Sequence, residues 1–329
     1  MKFDKAYCVS LDEKLTIYDV RDLNFDETVA FDSATQTFQC PNDACRNAFD
    51  AGNHLTTYNA RRVRFKRTPH FKNTPNTRHL ADCPYLSPET APETLDPDQS
   101  PGEAEGAGEA EGEQNFPVEL LLNRRVYNRR QAVPEAADLP AAAQVARPAA
   151  DTGPHHSPRT APTRTSVFAH PVECFVSNFA NKDLLKRMPL TIGDVSLNYN
   201  AFFKKVEYCQ DRQGLIYWGR IKEIKDYKSS FSVVFDKPVW ADRKRYSVNV
   251  YLSKSLIENY RQRTAFLEEI KSVIDQADDH LYCFFYGVTP ELKEVPSKKN
   301  PEQTFSVFSC EIENLDHFLI RQAPDLETL

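Results

Sequence analysis

Apolar positions cluster at the two ends of the chain, and a long polar stretch separates them. In the C-terminal region Leu215–Tyr227 (LIYWGRIKEIKDY) reads as a long strand, with Gly219 in its interior marking a bulge or a sharp coil. A second strand, Phe231–Phe235, follows a Lys-Ser-Ser turn. Over Tyr246–Leu252, the positions Tyr246, Val248, Val250 and Leu252 alternate with Ser247, Asn249 and Tyr251, the period of a third strand. Lys254–Ala277 carries Leu256, Tyr260, Leu267, Ile270 and Ile274 at helical spacing. Leu281–Val288, interrupted by Gly287, and Phe305–Ile312 complete the series as strands. Three strands, a helix and two strands, with a coiled first strand, is the order of an OB-fold barrel. Ahead of it, a helix is expected around Pro171–Met188 and an extended stretch over Leu190–Tyr199.

The N-terminal region, Met1–Leu86, opens with the extended-looking segments AYCVSL and KLTIYDV. Further on, Ala60–Phe71 (ARRVRFKRTPHF) alternates Val63 and Phe65 with basic residues, as a half-exposed strand does. The intervening stretch lacks a core pattern: nine acidic residues and no Lys or Arg lie between Glu89 and Glu113, among Pro, Gly, Ala and Ser. Such a composition does not bury enough apolar surface to offset the entropy of ordering. One island interrupts it, Phe116–Arg130 (FPVELLLNRRVYNRR), apolar and then basic, suited to docking on a folded domain or on a protein partner. The expected fold class is α+β: a small module at 1–86, a low-complexity linker at 87–165, an OB-like β-barrel with one main helix at 166–322 and a tail at 323–329.

Charge and composition narrow the function classes. The 329 residues carry a net charge of −6, which excludes a uniformly basic nucleic-acid coat and requires any such surface to be a local patch. No apolar run approaches the ~18 residues of a membrane span, and acidic residues occupy the amino terminus where a signal peptide is apolar. A cytoplasmic protein without a membrane partner is expected. Its cysteines are then reduced, and a tight cluster of them points to metal.

Of eight cysteines, three are candidates for such a cluster. Cys40 and Cys45 stand in QCPNDACR, a turn able to aim two thiolates at one point, and RHLADCPY places His79 and Cys83 four residues apart, on one face of a helical turn. Three thiolates and an imidazole form a closed tetrahedral set for one structural zinc ion. His70, in TPHFKN, is the competing histidine ligand, whereas Cys8, Cys174, Cys209, Cys283 and Cys310 stand alone in apolar settings, as core residues do. Phe38-Gln39-Cys40-Pro41, Cys45, Pro69-His70-Phe71, His79 and Cys83-Pro84-Tyr85 together resemble the amino-terminal zinc module of competence CoiA-like proteins. In that family a CP..C knuckle, an HFxH element and a final His/Cys pair precede a nuclease-like domain. Asn73 stands where the second histidine of HFxH would be, and nothing downstream supplies the nuclease. The resemblance, confined to about residues 1–86, implies DNA-associated work without cleavage.

Arg61, Arg62, Arg64, Lys66, Arg67, Lys72 and Arg78 place seven positive charges, with no acid among them, between the two ligand pairs. They form the footprint that a phosphate backbone requires. On the expected barrel, Tyr217, Trp218, Arg220 and Lys222 set aromatics beside cations, as single-strand binders do. No phosphate-binding glycine loop, nucleophile elbow or metalloprotease helix is found, and Glu223 and Lys225 form only a lone E-x-K. These features point to a non-enzymatic nucleic-acid-binding accessory protein, acting on DNA before RNA. The alternatives are a protein-interaction adaptor with two modules on an acidic tether, and a regulatory subunit of a DNA-processing complex.

Overall fold

A computed structural model of the chain describes residues 2–3, 5–49, 52–65, 67–83, 85–86, 116–125, 127, 164–275, 280–296 and 304–327. Most of the expected linker lies outside the described residues. The architecture mixes helix and sheet, and no described helix is long and apolar enough to cross a membrane.

In the N-terminal region six short strands form one sheet: β1 (Lys2–Phe3), β2 (Lys5–Cys8), β3 (Glu13–Thr16), β4 (Phe38–Gln39), β5 (Leu55–Tyr58) and β6 (His70–Asn73). Their order is β1-β6-β5-β4-β2-β3. The extended reading of KLTIYDV holds only as far as Thr16. There a capping box, with the Thr16 hydroxyl accepting from Asp19 N and the Asp19 carboxylate accepting from Thr16 N, starts helix α1 (Ile17–Phe25). Leu15, Ile17, Val20, Leu23, Phe38 and Phe71 join in the core beneath. A short helix α2 (Asp43–Ala48) is capped by Asn42.

The strand expected over Ala60–Phe71 is a correction, because only β6 is extended. Arg21 of α1 reaches out and donates to the carbonyls of Asn59 (2.6 Å), Arg62 (2.7 Å) and Val63 (3.3 Å). Carbonyls wrapped around one guanidinium do not enter a strand ladder.

In the C-terminal region, β7 (Glu119–Leu120), β8 (Arg164–Thr165), β9 (Pro189–Ile192) and β10 (Val195–Asn198) form a four-stranded sheet in the order β10-β9-β7-β8. Helices α3 (Ala169–Ser177), α4 (Lys182–Arg187) and α5 (Tyr199–Phe202) surround it in sequence. The larger sheet contains β11 (Phe203–Lys205), β12 (Ile216–Asp226), β13 (Phe231–Phe235), β16 (Val248–Leu252), β17 (Leu281–Phe285), β18 (Glu291–Pro296), β19 (Thr304–Glu311) and β20 (Phe318–Gln322). A separate hairpin, β14 (Val239–Ala241) and β15 (Lys244–Tyr246), lies between β13 and β16 in sequence.

The first half of β12 pairs with β11 and β17 and its second half with β13, across a register shift between Ile221 and Glu223. Gly219 sits in the coiled part. A Cβ there would lie 2.8 Å from side-chain carbons of both Phe235 and Val206, so no side chain fits.

No barrel closes among the described residues, which corrects the OB-fold expectation. β12, β13, β16 and β19 pair in succession and β17 pairs with β12, but the closing ladder between β19 and β17 is not made. β20 occupies the other edge of β17, and β18 the other edge of β19.

The expected helix Lys254–Ala277 is also revised. It is two helices, α6 (Lys254–Glu258) and α7 (Arg263–Asp275), and α7 buries Phe266, Ile270 and Val273 while Ile274 is exposed. The break at 259–262 is where this region grips α1. Arg261 donates to Asp22 (2.5 Å), Asp316 (2.8 Å) and Asp26 (3.3 Å), its carbonyl accepts from Glu27 N (2.8 Å), and Gln262 donates to the Asp22 carboxylate (2.8 Å). Nearby, the guanidinium groups of Arg21 and Arg321 each lie 4.5 Å from the centroid of the Phe65 ring, and Arg321 donates to Glu173 (2.5 Å).

The described part of the 116–130 island docks within the chain. Phe116 is buried edge-on against Tyr199, whose hydroxyl donates to Pro117 O (2.7 Å), and Arg124 forms ion pairs with Asp22 and Asp26.

Candidate metal centre and basic surface

Cys40 follows directly from β4, and Cys45 lies in the first turns of α2, so the Pro41-Asn42 turn and the Asn42 cap hold the two thiols on one side. The opposite pair comes from a loop, not the expected helical turn. Cys83 N donates to Leu80 O (3.0 Å), an i to i+3 bond, while Leu80 N donates to Cys45 Sγ (3.3 Å). The sulfur captures the amide that a helix would use, and it ties the two ligand pairs together.

The ligand atoms of Cys40, Cys45, His79 and Cys83 all lie within 4.8 Å of one another. Cys40 Sγ is 3.7 Å from Cys83 Sγ, and Cys83 Sγ is 3.6 Å from His79 Nδ1. With Zn–S at ~2.3 Å and Zn–N at ~2.0–2.1 Å, tetrahedral angles set edges of ~3.8 Å between sulfurs and ~3.6 Å between sulfur and nitrogen. The group is therefore compatible with a zinc ion. The three cysteines are buried, with Leu80, Tyr85 and Leu86 packed against them.

Electrostatics argue the same way. Burial pushes the Cys40 and Cys45 thiols up and the His79 imidazole down, so the pocket by itself disfavours thiolates. A bound dication reverses that preference, because ligation requires the deprotonated sulfurs. On the far side of the ring, His79 Nε2 lies 3.2 Å from Asn73 Oδ1, which orients Nδ1 toward the sulfurs. The residue that departs from the HFxH pattern thus touches the histidine of the group. His70 is not in the group; its Nδ1 bonds Thr68 O (2.9 Å), and its ring packs on Tyr58.

The basic residues divide into engaged and open ones. Arg64 donates to Ser272 Oγ (2.9 Å), and Arg61 pairs with Asp32 (3.3 Å). Arg62, Arg67, Lys72 and Arg78 are exposed, and none of the four has an ion pair among the described residues. Lys66 lies outside the described residues. Lys72 sits over the Tyr58 ring, and the Arg78 backbone is clipped on both sides by Asn53.

On β12 the expectation needs correcting. Tyr217 is 0% and Trp218 3% exposed, their rings packed against Phe285 and between Phe175, Phe179 and Phe284. Neither offers a face to a base, because β11 and β17 flank this part of β12 and α3 supplies Phe175 over it. Arg220 is half-buried and Lys222 exposed, so the cation of Lys222 reaches solvent without an open aromatic beside it. Glu223 pairs with Lys225 at the surface (3.2 Å). Sequence reasoning missed the exposed tryptophan, Trp240 of β14. Its signal was the basic run Arg243-Lys244-Arg245 that follows.

No family model, curated protein or solved structure matches the chain.

Proposed function

We propose that this chain is a non-enzymatic, zinc-containing nucleic-acid-binding protein, acting on DNA in preference to RNA, with an N-terminal module of the CoiA-like kind. The reading rests above all on the Cys40/Cys45/His79/Cys83 set, whose ligand atoms lie within 4.8 Å of one another and whose Cys40–Cys83 and Cys83–His79 separations suit a tetrahedral zinc shell. Four protein ligands leave no position for a substrate water, so the ion is structural. Its work is to hold the loop that carries Arg78 against the sheet that carries Lys72. With Arg62 and Arg67 these form a basic surface, without ion pairs among the described residues, on a chain of net charge −6. The tethered-adaptor reading has less support, because α1 is bound to the C-terminal region through Arg261.

Metal analysis of the purified protein tests the first half: about one zinc per chain is expected, lost in Cys45→Ser and Cys83→Ser and retained in His70→Ala. Zinc retained by both serine variants overturns the ligand set. For the second half, binding of labelled single- and double-stranded DNA and RNA is followed across a salt series. Replacing Arg62, Arg67 and Arg78 with Ala weakens binding and flattens the log–log salt slope by about 2–3 if all three meet phosphate. A wild-type protein that binds no nucleic acid at low salt ends this reading.

A further inference from the structure

The hairpin β14–β15 is built with one face inward. Val239 is buried, and Ala241 and Tyr246 pack on the main core, with Tyr246 edge-on to Phe308. Strand alternation then turns Trp240 and its cross-strand partner Arg245 outward. Trp240 is 60% exposed, the largest apolar side chain so placed, with the Arg245 guanidinium 4.6 Å from its ring centroid. The connection is a two-residue turn, Asp242-Arg243, with φ of 48° and 64°. That is the type I′ geometry, whose second position favours glycine. Arginine there keeps a cation at the tip in a conformation that costs it stability, as residues at functional sites do.

Arg243, Lys244 and Arg245 are all exposed and make no ion pair among the described residues. On the turn that β14 packs against, Tyr208 is 51% exposed with the Lys204 ammonium 5.4 Å from its ring.

We infer that this hairpin is a stacking platform for single-stranded nucleic acid, a role that rests on the nucleic-acid reading above and extends it to a second surface. The indole supplies a face for an unpaired base, and Arg243, Lys244 and Arg245 supply counter-charge to the adjoining phosphates. A duplex keeps its base faces covered, and an uncharged protein partner would leave three cations without a counterpart.

The test uses the full chain, a labelled thymidine oligonucleotide and the matching duplex. The chain has two tryptophans and Trp218 is buried, so solvent-exposed emission reports Trp240. The oligonucleotide should quench that emission on binding. Trp240→Ala, which removes no core contact, should weaken single-strand binding roughly 5- to 150-fold and leave the salt slope unchanged. Arg243→Gly with Lys244→Gln relieves the turn and should lower the single-strand slope by about 1.4. Wild-type binding with Trp240→Ala unaffected overturns the hairpin assignment and leaves the zinc-module surface standing. An equal loss toward duplex overturns the single-strand assignment. No binding by any form removes both readings together.

Discussion

Replacing Arg261 with Met tests whether the N-terminal module is part of the same folded body as the sheet. The Arg261 side chain is 16% exposed, and its partners Asp22 and Asp26 are 10% and 0% exposed. Burial raises the Asp22 carboxyl, partly offset by Arg261. For Asp26, burial also acts upward, but the Thr28 hydrogen bonds with Arg124 and Arg261 outweigh it and hold the group below its usual value. Removing one partner of a buried ion pair costs ~3–5 kcal/mol, since the other charge stays buried. Arg124 remains beside both aspartates, so the lower end, about 3 kcal/mol, is expected. Urea unfolding followed by circular dichroism reads the loss, and hydrogen exchange over 17–26 should show α1 opening first. Adding Asp22→Asn removes one stranded charge and should recover about 1–2 kcal/mol. A loss below ~0.5 kcal/mol, the size seen for exposed pairs, would refute the argument and return the two regions to independence.

Three further outcomes follow from other sites. Burial lifts the Glu269 carboxyl from 4.5 to about 7 against the pull of Arg21, Arg64 and Arg321, so the folded chain keeps a proton that the unfolded chain has released. Stability should therefore fall as pH rises from 4.5 to about 7 and level off above; Glu269→Gln lacks that decline, and parallel urea-midpoint curves would contradict the assignment. Gly219→Ala forces its new methyl against Phe235 and Val206, and a loss of ~1–3 kcal/mol by thermal unfolding is expected. Asn73→Ala removes the hydrogen-bond partner of His79 Nε2 and should weaken zinc retention ~10–100-fold in chelator competition, with an unchanged affinity arguing against that contact.

The Cys40/Cys45/His79/Cys83 group was legible because coordination is local chemistry. A knuckle and a His/Cys pair specify four donors whatever sheet surrounds them, and the four residues do come together, although His79 and Cys83 do so from a loop and not from the expected helical turn. The strands β12, β13 and β16 were legible for a similar reason, since alternation and turn residues are written within each segment. What stayed hidden depends on a distant partner. Nothing in ARRVRFKRTPHF announces that Arg21, some forty residues earlier, takes its carbonyls, and nothing in the helical pattern after Lys254 announces the grip of Asp22 and Asp26 on Arg261.

The two tryptophans show most clearly how tertiary context decides which ring stays open to solvent. Each stands near cations in sequence, Trp218 before Arg220 and Lys222, Trp240 before Arg243-Lys244-Arg245. The local strings nevertheless differ. Leu215-Ile216-Tyr217-Trp218 is an unbroken apolar run, the mark of a strand covered on both faces, and the first half of β12 is covered so completely that even Gly219 has no space for a methyl. Val239-Trp240-Ala241 has Trp240 as its one large ring and leads straight into a charged turn, so only one face has apolar partners and the indole is left on the other. An aromatic able to stack on a base must be one the core does not use. Any single-strand contact in the C-terminal region is therefore expected at Trp240, and Trp218→Ala should lower stability by the ~3–5 kcal/mol of a large-to-small core change before it alters binding in any specific way.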